Sequence, residues 1–278
     1  MLASIASYQQ GLNRWDGTLE PLQRAAALDP RSSVAASRVG NTLLNLRRYA
    51  EAKPALDHAI ALGPGDLSSI ELRMMASLGE GDLAGARAVM AASAGTVDPD
   101  ALLAYLAIYQ DLYWVLDDGE QQRVLSLPVA AFDGDRSTRA IVRAQLCYLR
   151  GDQRQARAEA DTARMGLEEQ LRAAPLDGQR RVFHGLALAF MGRKAEAIAE
   201  GRRGAELWPI SRDAGNGAYV QLQLARIYTI VGEPELAVDQ LEPLLKMPFY
   251  ISPGWLRIDP NWARLKDDPR FKRLAAGG

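Results

Sequence analysis

Two histidines, His58 and His184, and one cysteine, Cys147, are the side chains in this 278-residue sequence best suited to near-neutral acid–base or thiolate chemistry. Each histidine precedes a small residue, Ala59 or Gly185, and neither has a second ligand at zinc spacing. Both read as ordinary surface or packing residues. Cys147 follows Gln145-Leu146 in an apolar stretch with no histidine partner, so it reads as a small buried hydrophobe. The run Gly79-Glu-Gly-Asp-Leu-Ala-Gly lacks dinucleotide-loop spacing and follows no strand. Asp117-Asp118 and Asp133-Gly-Asp135 cluster carboxylates, but a calcium loop also needs a glutamate at its twelfth position. There is no Gly-x-Ser-x-Gly nucleophile turn. The expectation is no catalytic residue, no metal and no cofactor.

Recognition chemistry has better candidates. Ala101 to Val115 reads as one helix, and Tyr105, Tyr109 and Tyr113 recur along it every four residues, on one face. Tyr148 falls in a later helix. Tyrosine combines large contact area with a polar tip, which suits a peptide groove. The same rings could equally pack an irregular core.

The elements that must position these residues follow from an internal period. Steps of 12, 7 and 5 residues lead from Gly40 to Ala52, Ala59 and Pro64, and from Gly185 to Ala197, Gly204 and Pro209. From Ala6 they lead to Thr18, Ala25 and Pro30. Looser copies run Ala144-Ala156-Ala163 with Pro175, Ala225-Ala237-Leu244 with Pro248, and Met74-Ala86-Ser93 with Pro99. Antiparallel helices approach closely only where facing side chains are small, and proline closes a helix. Each copy is therefore a helix hairpin, with turns at Gly81-Asp82, Gly151-Asp152, Gly192-Arg193 and Gly232-Glu233-Pro234. No run of alternating β-branched residues suggests a strand.

This pattern resembles the tetratricopeptide repeat (TPR) family over about residues 1–99 and 137–249. Leu2, Ala36, Ile70 and Arg181 stand where the family has a bulky aromatic, and Met74 replaces a small residue. The resemblance implies an all-α solenoid, a right-handed superhelix of antiparallel helix pairs whose first helices line a concave face. It places Arg38, Asn41, Asn45, Gln145 and Arg226 on that face, as groups able to hold a peptide backbone or carboxylate. Tyr105, Tyr109 and Tyr148 join them as candidate partner-binding residues. On this reading Arg38→Glu with Arg226→Glu weakens capture and leaves melting intact.

Residues 100–136 read as an irregular unit, with a short second helix from Asp118 to Leu125 and a break over 127–135. The break suggests an N-terminal half over 1–132 and a C-terminal half over 133–278. The helix from Asp152 to Ala174 is unusually long. Over 252–274 the pairs Asp259-Pro260 and Asp268-Pro269 each start a short helix, with aspartate as N-cap. Trp255, Leu256, Trp262, Leu265, Phe271 and Leu274 would cover the last hairpin as a terminal cap. This segment and Gln110-Asp-Leu-Tyr-Trp-Val-Leu-Asp-Asp resemble the TPR tails of bacterial serine/threonine protein kinases and adenylate cyclases, which implies a sensory or scaffolding role. Met1 falls at the start of a first helix without a cap, which suggests the end part of a longer chain and self-association through that repeat.

Composition narrows the partners. With 33 basic and 34 acidic residues interspersed, net charge is −1 and no stretch has the basic density of a nucleic-acid or membrane surface. The 48% hydrophobic content supports a large core, but no apolar run is long enough to span a membrane. A single cysteine fits a reducing compartment and favours cytoplasm over periplasm. A protein or peptide is the expected partner. The rival is a small ligand bound near the bend and reported to a signalling domain. A long open groove holding Arg38, Asn41 and Arg226 would favour the peptide, and a closed pocket around Tyr105 and Tyr109 the small ligand.

Overall fold

The computed structural model describes residue 15 and residues 17–277, all helical with connecting turns. The first helix of the first repeat, with Leu2 and Ala6, lies outside the described residues, as does the expectation of self-association through it. Its second helix is α1 (Leu19–Leu28). Hairpins follow as α2 (Ser33–Asn45) with α3 (Tyr49–Leu62), and α4 (Leu67–Glu80) with α5 (Leu83–Ala92). The irregular unit contains α6 (Pro99–Ile108) and α7 (Asp118–Ser126). Three more hairpins are α8 (Arg136–Leu149) with α9 (Gln153–Ala173), α10 (Gly178–Phe190) with α11 (Lys194–Leu207), and α12 (Ala214–Val231) with α13 (Pro234–Lys246).

The small residues sit where the helices cross. A Cβ on Gly40 would lie 2.4 Å from Leu56 Cγ, so α2 and α3 close only because position 40 has none. A Cβ on Gly185 would likewise lie 2.9 Å from Ala197 O in the backbone of α11. Ala52, Ala59, Ala144, Ala156, Ala163, Ala197, Ala225 and Ala237 are fully buried. Proline punctuation is regular: Pro30, Pro64, Pro175, Pro209 and Pro248 each fall two residues after a second helix ends. Pro99 differs. It is the first residue of α6, with Asp98 as N-cap, because α5 already ends at Ala92 and a turn intervenes.

First helices pack beside one another (α2 on α4, α8 on α10, α10 on α12), so they form one continuous inner layer behind which the second helices stack. That wall is not left open along its length. After α13 the chain turns through 247–252 into α14 (Pro253–Ile258), a 3-10 segment (Pro260–Leu265) and α15 (Pro269–Ala276). All six apolar residues expected to form a cap are buried, and Asp259 and Asp268 are N-caps as expected. The cap does more than cover α13, however. Its α14 packs on α4, and Ser252 Oγ donates to Gly79 O at 2.5 Å across a separation of 173 residues. Gly254 abuts the Gly79–Gly81 turn so closely that a Cβ there would meet Gly79 O at 2.4 Å. From the turn after α2, Arg47 donates to Ile251 O and Leu244 O. The arc of hairpins is thereby closed by its own C-terminal segment.

The expected helix over Ala101–Val115 is broken. α6 stops at Ile108, Gln110 and Asp111 both take left-handed backbone angles (φ 55°), and a 3-10 turn covers Leu112–Trp114. Tyr113 therefore leaves the face carrying Tyr105 and Tyr109 and enters the core, 1% exposed. The cause is tertiary: the break turns the Asp111 carboxylate toward donors on α12.

Candidate functional site

Those donors form a buried polar cluster at the centre of the inner wall. Tyr219 OH and Gln223 Nε2 donate to Asp111 Oδ2 at 2.8 and 2.6 Å, and Arg226 Nη1 pairs with the same oxygen at 3.2 Å. Arg226 also donates to Tyr113 OH at 2.6 Å, to Gln223 and to Gln145, and Tyr113 donates to Asn261 at 2.6 Å. Burial would drag the Arg226 pKa down, but Tyr113, Asp111 and Tyr219 around it leave it raised, so the guanidinium stays charged. Arg226 and Gln145 are 4% and 2% exposed. Both are engaged inside the wall, Arg226 with Asp111, Tyr113 and Gln223 and Gln145 with Arg226, and they lie outside the lining of the cleft that carries Asn41 and Tyr105. Arg226→Glu would put two carboxylates together in the core, so the double charge reversal could not leave melting intact.

The wall opens above this cluster into a cleft of about 630 Å³. Five first helices reach it: α2 with Asn41 and Asn45, α4 with Ser68 and Glu71, α6 with Tyr105, α10 with Gln179, and α12 with Asn216 and Tyr219. Trp15, Tyr109, Gln110, Asp213 and the 248–250 turn also line it. Four of the eight residues singled out from sequence thus meet here: Asn41, Asn45, Tyr105 and Tyr109. Asn45 is fixed by its Nδ2 donating to Asn41 O and Oδ1. The Tyr105 and Tyr109 rings stand 4.5 Å apart, and Tyr109 is 44% exposed. Arg38 is exposed on α2 outside the cleft lining. Tyr148 lies elsewhere, between Phe190 (5.0 Å between rings) and the Arg264 guanidinium (5.8 Å).

Glu71 is the residue sequence reading missed. It is 4% exposed, its Oε1 has no hydrogen-bond partner, and burial, with the charge of Asp111 next, pushes its pKa up to about 8. Gln110 Oε1 is likewise buried without a partner. The signal was present in the repeat register. Three residues before the crossing position the other copies carry Ser37, Ile141, Val182 and Leu222, and a glutamate in that slot has nothing apolar to offer.

A second hollow of about 270 Å³ lies beyond Tyr109, lined by Asp135, Gln170 and Arg180 among others. Its polar groups are bound to one another: Gln170 donates to Asp135, and Arg180 donates to Gln170. His184 sits between Glu168 and Glu200, at 3.3 and 3.4 Å, and Cys147 is buried, which raises its thiol pKa. His58 lies on the outer side, its Nε2 3.1 Å from Pro30 O. Among the described residues no helix is long and apolar enough to cross a membrane.

No family model matches the sequence, and no curated protein does. Solved structures do. A tetratricopeptide repeat protein from Parabacteroides merdae is 14% identical over 99% of this chain and 96% of its own, with TM-score 0.47. The Cut9–Hcn1 structure of the APC/C is 14% identical over 99% of this chain but 47% of that one, with TM-score 0.49. The TPR2AB domain of yeast Sti1, solved as a complex with pHSP90, is 15% identical over 99% and 96%, with TM-score 0.33. Superpositions this loose add no argument of their own. The hairpins, their glycine and alanine crossings and their closing prolines make the chain an all-α solenoid of antiparallel helix pairs.

Proposed function

We propose that the chain is a non-catalytic recognition module that receives part of a partner polypeptide in the cleft of its inner wall. One observation carries this reading: Asn41, Asn45, Tyr105 and Tyr109, brought from two helices, converge on the opening that the closed arc leaves between its first helices. Asparagine amides at the rim suit a peptide backbone, and the paired tyrosines supply rigid apolar area. The cleft admits a short stretch or a chain end, since the wall below it is filled by the Asp111–Arg226 cluster and the cap. The resemblance of the C-terminal segment to TPR tails of bacterial signalling enzymes supports a place within a larger signalling protein. The volume, inside the roughly 300–1,000 Å³ range of small-molecule sites, supports a free small ligand as the second reading.

The test is selection of displayed peptides on the intact chain, repeated on Asn41→Trp, which plugs the rim at an exposed position. The reading expects selected peptides whose affinity falls about tenfold or more on the plugged variant. Peptides that bind both alike, or no peptides at all, would defeat it.

A further inference from the structure

The chemistry of the cleft says what kind of group it takes. Its lining among the described residues includes no lysine, arginine or histidine. It includes two carboxyls, Glu71 deep and Asp213 at the mouth, and aromatic rings on several sides, among them Tyr105, Tyr109, Tyr219 and Tyr250. Two buried oxygens, Glu71 Oε1 and Gln110 Oε1, accept nothing. A buried acceptor without a donor is costly, and folding ordinarily removes it. Here two remain on residues that line one cavity, together with one unpartnered donor, the Trp15 Nε1, and a guest carrying several N–H donors would offer both oxygens a partner.

Resting on the reading of this cleft as the recognition site, we infer that it holds a cationic nitrogen, the ammonium of a lysine side chain or of a free alkylamine, between Glu71 and the Tyr105–Tyr109 pair. An ammonium offers three donors, is compact, and is drawn to aromatic faces. It supplies the countercharge that Glu71 lacks. The cation buried in the wall, Arg226, is already held by Asp111 at 3.2 Å and by three other side chains. An anion or a neutral apolar guest would leave both oxygens unmet.

The charged and titratable groups around Glu71 are Asp111, neutralised by Arg226, Asp213 at the mouth, and the phenols of Tyr105, Tyr109, Tyr219 and Tyr250, whose pKa values burial raises. On its own helix Arg73 turns away to Asp57 at 2.7 Å, and Asp66 accepts from Ser69. Empty, the cleft keeps Glu71 largely protonated at neutral pH. A cation entering displaces that proton, so affinity rises with pH until Glu71 is ionised.

The experiment uses the full chain labelled with 13C-methyl methionine, in which seven methionines give few signals and Met75 lines the cleft. The probes are Nα-acetyl-lysine N-methylamide, its norleucine counterpart and butylamine. The Met75 signal should move with the lysine compound, with the norleucine compound at least about tenfold weaker, and that difference should vanish in Glu71→Gln. Tyr109→Leu, at a half-exposed ring, should weaken the lysine compound severalfold while keeping the fold. Lysine binding should tighten by up to about tenfold per pH unit below 8. Butylamine binding as well as the lysine compound identifies a free amine as the source, and a clear lysine advantage identifies a side chain. Equal binding of norleucine, no Met75 response, or an unchanged Glu71→Gln overturns the inference. Selected peptides that occupy the cleft without preferring lysine sink the cation and leave the recognition reading standing. Lysine bound with no peptide blocked by Asn41→Trp does the reverse.

Discussion

Replacing Glu71 by glutamine should make the protein more stable, and the gain should grow with pH. The carboxyl is 4% exposed and its folded-state pKa stands at about 8 against an ordinary 4.5, chiefly through burial. A folded pKa above the unfolded one means that the folded state holds the proton more tightly. The parent is therefore at full strength below about pH 4.5 and loses stability as pH climbs through 8. A displacement of that size corresponds to about 5 kcal/mol at pH 9 and about 3 kcal/mol at pH 7, to order of magnitude. Glutamine has the same shape and no charge to desolvate, so Glu71→Gln should match the parent near pH 4.5 and exceed it by these amounts above. At about 2–4 °C per kcal/mol for a chain of this size, the melting temperatures should separate by roughly 10–20 °C by pH 9. Asp259, raised by burial to about 6, adds its own decline to both proteins and cancels in the difference. The assay is thermal melting by circular dichroism at 222 nm from pH 4.5 to 9. Curves that run parallel, with a constant separation, would refute the assignment of a buried, unpartnered carboxyl at position 71.

Other expectations follow from the same structure. Arg226→Met removes the cation held by Asp111, Tyr113, Gln145 and Gln223 and should cost about 3–5 kcal/mol, seen as a lower denaturation midpoint. Gly40→Val drives a side chain into Leu56 at the α2–α3 crossing and should cost about 1–3 kcal/mol by the same measurement. Gly254→Val cannot fit against Gly79 O, so it should speed amide exchange in α14 and at the Gly79–Gly81 turn while the α10–α11 hairpin keeps its protection. Expressed apart, 1–132 and 133–278 should each show reduced helicity and regain it on mixing, because Asp111, Tyr113 and Arg47 find their partners in the other piece.

Much of the fold was legible because it rests on local devices repeated in register. A residue without a Cβ at position 40 or 185, and a proline two residues past five of the second helices, are steric facts readable from spacing alone. Asp259 and Asp268 as caps are equally local. What escaped depended on residues far apart in the chain. The tyrosine ladder 105–109–113 obeyed helix periodicity, yet Asp111 gains more from Tyr219, Gln223 and Arg226 than α6 gains from another turn, so the helix ends and Tyr113 turns inward. Arg226 looked like a groove residue because its register position is one, and the cap that covers it comes from beyond the repeats. Asn41 and Asn45 kept their place in the lining of the cleft. Glu71 lies outside the expected groove positions, and its signal was a carboxyl in a slot where other repeats put serine, isoleucine, valine and leucine.

Closure of the arc by residues 252–262 is what leaves a short cleft in place of a long groove. Nuclear Overhauser contacts in glycine-labelled protein test this directly, because Gly254 Cα lies 3.5 Å from where a Cβ on Gly81 would stand. Cross-peaks between Gly254 and the Gly79–Gly81 turn are expected. A protein with intact helical shifts in which Gly254 shows contacts to its own α14 and α15 and none to that turn would contradict it.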